Sequence, residues 1–159
     1  MILGIDPGTL QMGYGFVVEE LDGSLQAVAW GVLSAPSRLP LGERLHGLYG
    51  QLLELMRHYR PAEFAVEEPF VSVNARTAMA IGQAQGLALM AAAEGSLPVA
   101  GYSPRQVKSA VTGHGAASKE QVQYAVSLHL SMGTIPTPED AADALAVALC
   151  HIQSRRSVV

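Results

Sequence analysis

Asp140 and Asp143 stand three residues apart in the stretch DAADALAVA, near the end of a 159-residue chain. On a helix that spacing puts both carboxylates on one face. The preceding Thr137-Pro138-Glu139 reads as a helix start, with Thr137 as N-cap and Pro138 in the first helical position. Asp140 then falls third, where free backbone donors and the helix dipole favour an acid. Capping alone accounts for Asp140, and capping is compatible with chemistry. Asp143 has no such account. It lies a turn beyond the orphan N–H groups, among Ala142, Ala144, Leu145 and Ala146, none of which can partner a charge. An ionised carboxylate there needs a cation or a strong hydrogen bond.

Further acids end apolar runs. Asp6 closes MILGID ahead of the turn Pro7-Gly8-Thr9, and Glu67-Glu68 closes FAVEE. In a strand, Glu67 and Glu68 point to opposite faces, so one is free for solvent and the other faces the side on which the first strand ends. If the two strands are neighbours, Asp6, one of these glutamates, Asp140 and Asp143 converge. Gathered carboxylates repel unless a divalent metal neutralises them, and hard oxygen ligands suit Mg²⁺ or Mn²⁺. Two such ions serve in-line phosphoryl displacement, one activating water and the other stabilising the leaving oxygen. Asp6 is then the central ligand, and the turn after it lets backbone approach a phosphate.

The elements that must position these acids follow from periodicity. Residues 1–6, 13–19 and 25–33 read as three short strands, with Asp22-Gly23 as the hairpin turn between the second and third. Residues 41–59 carry Leu45, Leu48, Leu52, Leu55 and Met56 at helical spacing. A fourth strand over 64–68 and a helix over 73–94 come next. In that helix Gly82 and Gly86 share a face that invites close contact, either inside the protein or with a second copy. A fifth strand over 97–102 precedes helices over 104–111, 118–130 (with Ser118 as cap) and 136–154. The order predicts an α/β fold with an antiparallel front and parallel later strands, in one domain spanning 1–159.

Composition sets the class. Nearly half the residues are hydrophobic and 15% are charged, as in a folded globular protein. No apolar run is long enough for a membrane span and no leader pattern opens the chain, which predicts a cytoplasmic protein. The single cysteine, Cys150, can form no internal disulfide and sits in an apolar helical pattern that predicts burial. Net charge is −4, a weak argument against a nucleic-acid partner. Its distribution matters more: residues 1–80 hold nine acids against five bases, whereas residues 100–130 hold Arg105, Lys108 and Lys119 against Glu120. Acids occupied by divalent cations would leave such a protein free to bind a polyanion.

GIDPGT at 4–9 with Gly13-Tyr14-Gly15, AVEEPF at 65–70, RQVK at 105–108 and DAADALAVA at 140–148 together resemble the RuvC family of Holliday-junction resolvases, in order and spacing over nearly the whole chain. The resemblance implies an RNase H-like fold: a mixed five-stranded sheet flanked by helices. It implies a homodimer that nicks four-way DNA junctions symmetrically with Mg²⁺ or Mn²⁺, two ions per site, alongside a branch-migration helicase complex. Asp6, Glu67, Asp140 and Asp143 match that family's acidic tetrad, leaving Glu68 as a neighbour. Some members carry His at the position of Asp140. Lys108 and Lys119 match lysines near the scissile phosphate, where a cation stabilises developing charge. Phe70 matches an aromatic that stacks on unpaired bases, and Arg76 and Arg105 are phosphate contacts by the same likeness.

Actin-like and sugar-kinase ATPases open with a similar acidic Gly-Thr turn, but need a second lobe with its own phosphate turn, for which this chain is too short. An RNase H-like family implicated in ribosomal RNA maturation shares the opening motif; the DAADALA stretch and the two lysines favour the resolvase. A catalytically dead junction-binding module would lack one of the acids, and none is missing. Of the five histidines, His114 lies in a Gly-flanked loop between Lys108 and Lys119, within reach of DNA, and the rest read as surface or packing residues.

Overall fold

Alternating apolar residues in the first third of the chain build an antiparallel meander. In the computed structural model, which describes residues 1–68 and 74–157, the meander comprises β1 (Ile2–Asp6), β2 (Gln11–Glu19) and β3 (Leu25–Ser34). Gly23 makes the β2–β3 turn at φ +83°, a conformation that favours glycine. The Ser24 N–H donates to Asp22 Oδ1 at 2.9 Å beside it. There follow α1 (Leu41–Tyr59), β4 (Glu63–Glu67), α2 (Ala75–Glu94), β5 (Val99–Tyr102), α3 (Pro104–Thr112), α4 (Lys119–His129) and α5 (Glu139–Arg156). The sheet order is β3-β2-β1-β4-β5. β4 joins β1 in parallel and β5 joins β4 in parallel, so the mixed five-stranded sheet expected from the sequence is the one that forms.

Helices cover both faces, which is why the ILGI run of β1 is apolar without alternation. Leu3, Ile5, Phe16, Phe64 and Val66 pack on one face against Leu48 and Leu52 of α1 and Ala84, Ala88 and Ala91 of α2. Ile2, Val17 and Ala65 face the other way, against Leu145, Ala148, Leu149 and Ile152 of α5. Val107 and Val111 of α3 and Val122 and Val126 of α4 close over α5 from outside. Enclosed in this way, α5 is apolar nearly all round. Cys150 is buried within it, and burial pushes its thiol up to about 11.

α5 rests on the sheet almost without intervening side chains. A Cβ on Gly4 would come within 2.2 Å of the Ala144 carbonyl oxygen, and one on Gly13 within 2.0 Å of that of Asp140. Gly13 is also the β2 partner of Asp6. Backbone contact therefore sets the first turn of α5 directly beside the end of β1.

At the opposite end of α5, charged groups fasten the helix to the strands. His151 Nε2–H donates to Glu63 Oε2 at 2.8 Å, and its Nδ1 shares a 2.7 Å hydrogen bond with the Tyr102 hydroxyl. Arg155 pairs with Glu63 and with Glu19 (2.7 Å), and Arg156 Nε donates to Glu19 Oε1 at 2.9 Å. Two arginines in the last turn also complement the helix dipole.

Three expectations change. Thr137 is not the cap of α5: Pro138 occupies that position in extended conformation, its carbonyl accepting from Ala141 N–H (3.1 Å) and Ala142 N–H (3.3 Å). The helix starts at Glu139, so Asp140 is its second residue. β5 starts at Val99 because the Leu97 N–H still closes the end of α2 on the Ala92 carbonyl (2.9 Å). Gly82 and Gly86 do not serve internal packing, since a Cβ on either would meet no described atom within 4 Å. Ser118 caps α4 as expected, in a capping box with Gln121, and Ser103 caps α3 in the same way with Gln106.

Gly13→Ala should force α5 off the sheet. We expect a loss of about 1–3 kcal/mol, the scale of overpacking a tight core. Urea unfolding should show it as a lower midpoint at unchanged slope.

Candidate active site

Because β1 and β4 are parallel neighbours paired as far as Ile5↔Val66, their next residues, Asp6 and Glu67, emerge side by side at the carboxyl ends of the strands. The start of α5 adds Asp140 and Asp143 from above. Among the described residues, a cavity of about 300 Å³ is lined by these four acids with Lys108 of α3, Lys119 of α4, Pro104, Val107 and Val122. The apolar members, Pro104, Val107 and Val122, come from α3 and α4.

One carboxylate oxygen from each of Asp6, Asp140 and Asp143 lies within 4.8 Å of the others. Glu67 faces the same cavity without joining that trio. Glu68 is exposed and turned over Gly101 of β5, where a Cβ would meet its Oε1 at 2.2 Å. Of the glutamate pair, the first is therefore the one that reaches the site, as strand alternation requires.

Electrostatics describe an overcrowded anionic site. Burial, followed by the charges of Glu67, Asp143 and Asp140, pushes the Asp6 carboxyl up to about 8; Lys119 alone opposes. Burial and Asp143 push Glu67 up to about 7 against Lys108 and Lys119. Burial likewise raises Asp143. At neutral pH Asp6 keeps its proton and Glu67 is about half protonated, because burial and the neighbouring acids outweigh the two lysines. The all-oxygen donor set, its spacing and this charge deficit fit a hard divalent cation.

Lys119 Nζ lies 3.9 Å from Asp143 Oδ2 and bonds directly to Glu139, a residue that sequence reasoning passed over. Its only signal was adjacency to Asp140; the juxtaposition with Lys119 arises from folding. Arg105 is not in the cavity lining: its side chain packs over Gly115 in the α3–α4 loop. Arg76 is exposed in the first turn of α2, also away from the lining. Phe70 lies outside the described residues. The His114 ring accepts the Ala116 N–H at 3.3 Å, a local turn contact.

Residues 2–151 match the family described as crossover junction endodeoxyribonuclease RuvC. The chain belongs to the RuvC family. A crossover junction endodeoxyribonuclease RuvC from Desulforamulus reducens is 50% identical over 153 residues, 96% of this chain and 93% of that protein. The Thermus thermophilus RuvC structure superposes with a TM-score of 0.90 at 37% identity, covering 99% of this chain and 96% of that one. T. thermophilus RuvC in complex with Holliday junction substrate gives 0.92 at 36%, with 99% and 95% covered. The fold is accordingly the RNase H-like one of the RuvC proteins, and the enzyme class is the crossover junction endodeoxyribonuclease.

The raised carboxyls predict a pH signature. Their folded values lie above those of the unfolded chain, so the stability they contribute is full below the unfolded values near 4 and is lost as pH rises through about 7 and 8. Metal-free protein should therefore weaken progressively from about pH 4 to about pH 8. Added Mn²⁺ should reverse that loss and release protons, which calorimetry in buffers of different ionisation enthalpy will read. A metal response independent of pH across this range would contradict the assignment.

Proposed function

We propose that this chain resolves Holliday junctions in DNA recombination and repair by nicking two strands symmetrically, leaving 5′-phosphate and 3′-hydroxyl ends. The observation that carries the reading is the convergence of Asp6, Glu67, Asp140 and Asp143 in one cavity that Lys108 and Lys119 also face. In this reading the four acids hold Mg²⁺ or Mn²⁺, two ions per site, with Asp6 central. The cations, when bound, supply Lewis acidity toward water and the phosphate oxygens.

The chain's own residues do the rest. Asp6 and Glu67 give up their protons as cations load and become full anionic ligands. Asp140 approaches from the first turn of α5, where a carboxylate is also favoured by the helix dipole. Lys108 and Lys119 bring positive charge to the cavity mouth, where it meets the charge that develops on a phosphodiester under attack. Arg105 on the α3–α4 side and Arg76 at the start of α2 fit contacts to more distant phosphates, and Phe70 follows the strand that delivers Glu67.

Two active sites are needed for paired nicks, so the protein acts as a homodimer. The outer face of α2 supports this: Met79, Leu89 and Met90 are exposed, and Gly82 and Gly86 between them meet no described neighbour. An unpartnered apolar stripe with glycines allows close helix approach. The partners are the four-way junction and a branch-migration helicase complex, and the setting is the cytoplasm; no helix among the described residues is long and apolar enough to cross a membrane.

Synthetic four-way junction, linear duplex and RNA incubated with Mn²⁺ provide the test. Paired nicks confined to the junction support the resolvase; cleavage of RNA in preference would favour the RNA-maturation alternative. Asp6→Asn should keep or tighten junction binding, because a negative charge is removed, and abolish nicking. Nicking at the unmodified rate would remove Asp6 from the mechanism. In sedimentation, the protein should run at twice the 16.7 kDa chain mass. Met79→Lys with Met90→Lys should yield monomer that still binds Mn²⁺; an unchanged dimer would move the interface elsewhere.

A further inference from the structure

Glu139 stands outside the acidic tetrad, yet its carboxylate is what the Lys119 ammonium touches. Lys119 is the first residue of α4 and Glu139 the first of α5, so the pair joins two helix starts beside the cavity that Lys119 lines. A lysine at a helix N-terminus has the wrong sign for the dipole, so α4 gains nothing from it there. Its ammonium has two acidic neighbours. Glu139 lies at the rim with 48% of its side chain accessible, and Asp143 lies deeper with 25%, its Oδ2 3.9 Å from Nζ. Asp143 in turn belongs to the Asp6–Asp140–Asp143 oxygen trio. Without a rim partner, the ammonium would be drawn inward to Asp143, already 3.9 Å away, and to the less solvated carboxyl groups beside it. There it would act as an internal counter-cation in the space that the trio offers a divalent ion.

We propose that Glu139 is a positioning residue that anchors Lys119 at the rim, holding its ammonium out of the carboxylate trio so that a divalent cation can enter. The inference rests on reading the trio as a cation site. Glu139 is not itself a ligand in this scheme. The pair it forms is exposed enough to exchange, so an arriving phosphate can take the lysine from Glu139 without first extracting it from the cation's own ligands.

Mn²⁺ titration of the DNA-free protein, followed calorimetrically or by the paramagnetic resonance of free Mn²⁺, separates anchoring from simple charge loss through a double-mutant cycle. Glu139→Gln should weaken Mn²⁺ binding about three- to fivefold, the scale of one exposed ion pair. Lys119→Ala should tighten it. In the Lys119→Ala background, Glu139→Gln should have no further effect, because the lysine it restrains is gone. An equal loss in both backgrounds would overturn the anchor in favour of a through-space charge effect, and no loss in either would overturn it outright. If the unmodified protein binds Mn²⁺ no better than Asp6→Asn, the cation reading falls and the anchor falls with it.

Discussion

The backbone of α5 lies on the backbone of β1 and β2, and the site depends on that contact. Strands and helices normally stand about 10 Å apart with a layer of side chains between them. Here glycines at 4 and 13 remove the layer on the sheet side, and Ala144 and Ala148 thin it on the helix side. Aspartate is short. A carboxylate on a helix and one at a strand end can share an ion only if the elements approach this closely. Gly13 carries both requirements at once, pairing with Asp6 in the sheet and touching the Asp140 carbonyl.

Such proximity stores repulsion. Asp6, Glu67 and Asp143 all shift toward the protonated form, the expected response of buried acids without enough counter-charge. The cluster would push α5 away from β1, so the restraint must come from elsewhere. It comes from the apolar length of the helix and from its other end, where Glu63, His151, Tyr102, Arg155, Arg156 and Glu19 knit α5 to the amino end of β4 and the far end of β2. The helix is pinned at one pole so that it can bear unfavourable charge at the other. Local strain at a functional site, offset by the surrounding structure, is the usual pattern.

What the sequence made legible was whatever depends on local rules. Asp6 and the glutamate pair were readable because an acid closing a fully apolar strand is anomalous; strand alternation says that one of Glu67 and Glu68 faces the site, and only the family resemblance picked Glu67. The Asp140–Asp143 pair followed from helical spacing, and Ser118 from capping chemistry. Legibility failed where tertiary placement overrode local preference. Pro138 was assigned the first helical position on propensity, but its extended conformation makes it the cap and displaces Thr137. Gly82 and Gly86 looked like packing glycines, though spacing alone could not say which side of α2 the sheet would take. Glu139 lay hidden because its partner is twenty residues away on another helix. Arg105 shares a helix with Lys108, but faces the α3–α4 loop instead of the cavity, a distinction that needs the helix's rotation about its axis.

The net charge of −4 is less of an obstacle to binding a polyanion than the sum implies. Arg155 and Arg156 are committed to Glu19 and Glu63 at the pole away from the cavity, where those four charges cancel. Four of the remaining acids line the cavity itself, where on the proposed reading a divalent cation neutralises them. Lys108 and Lys119 line that same cavity, so such neutralisation would leave their positive charge unopposed there. On the proposed reading, metal occupancy and substrate affinity are coupled through one cluster, so that a substrate strand is drawn most strongly to the cavity when the cations are in place.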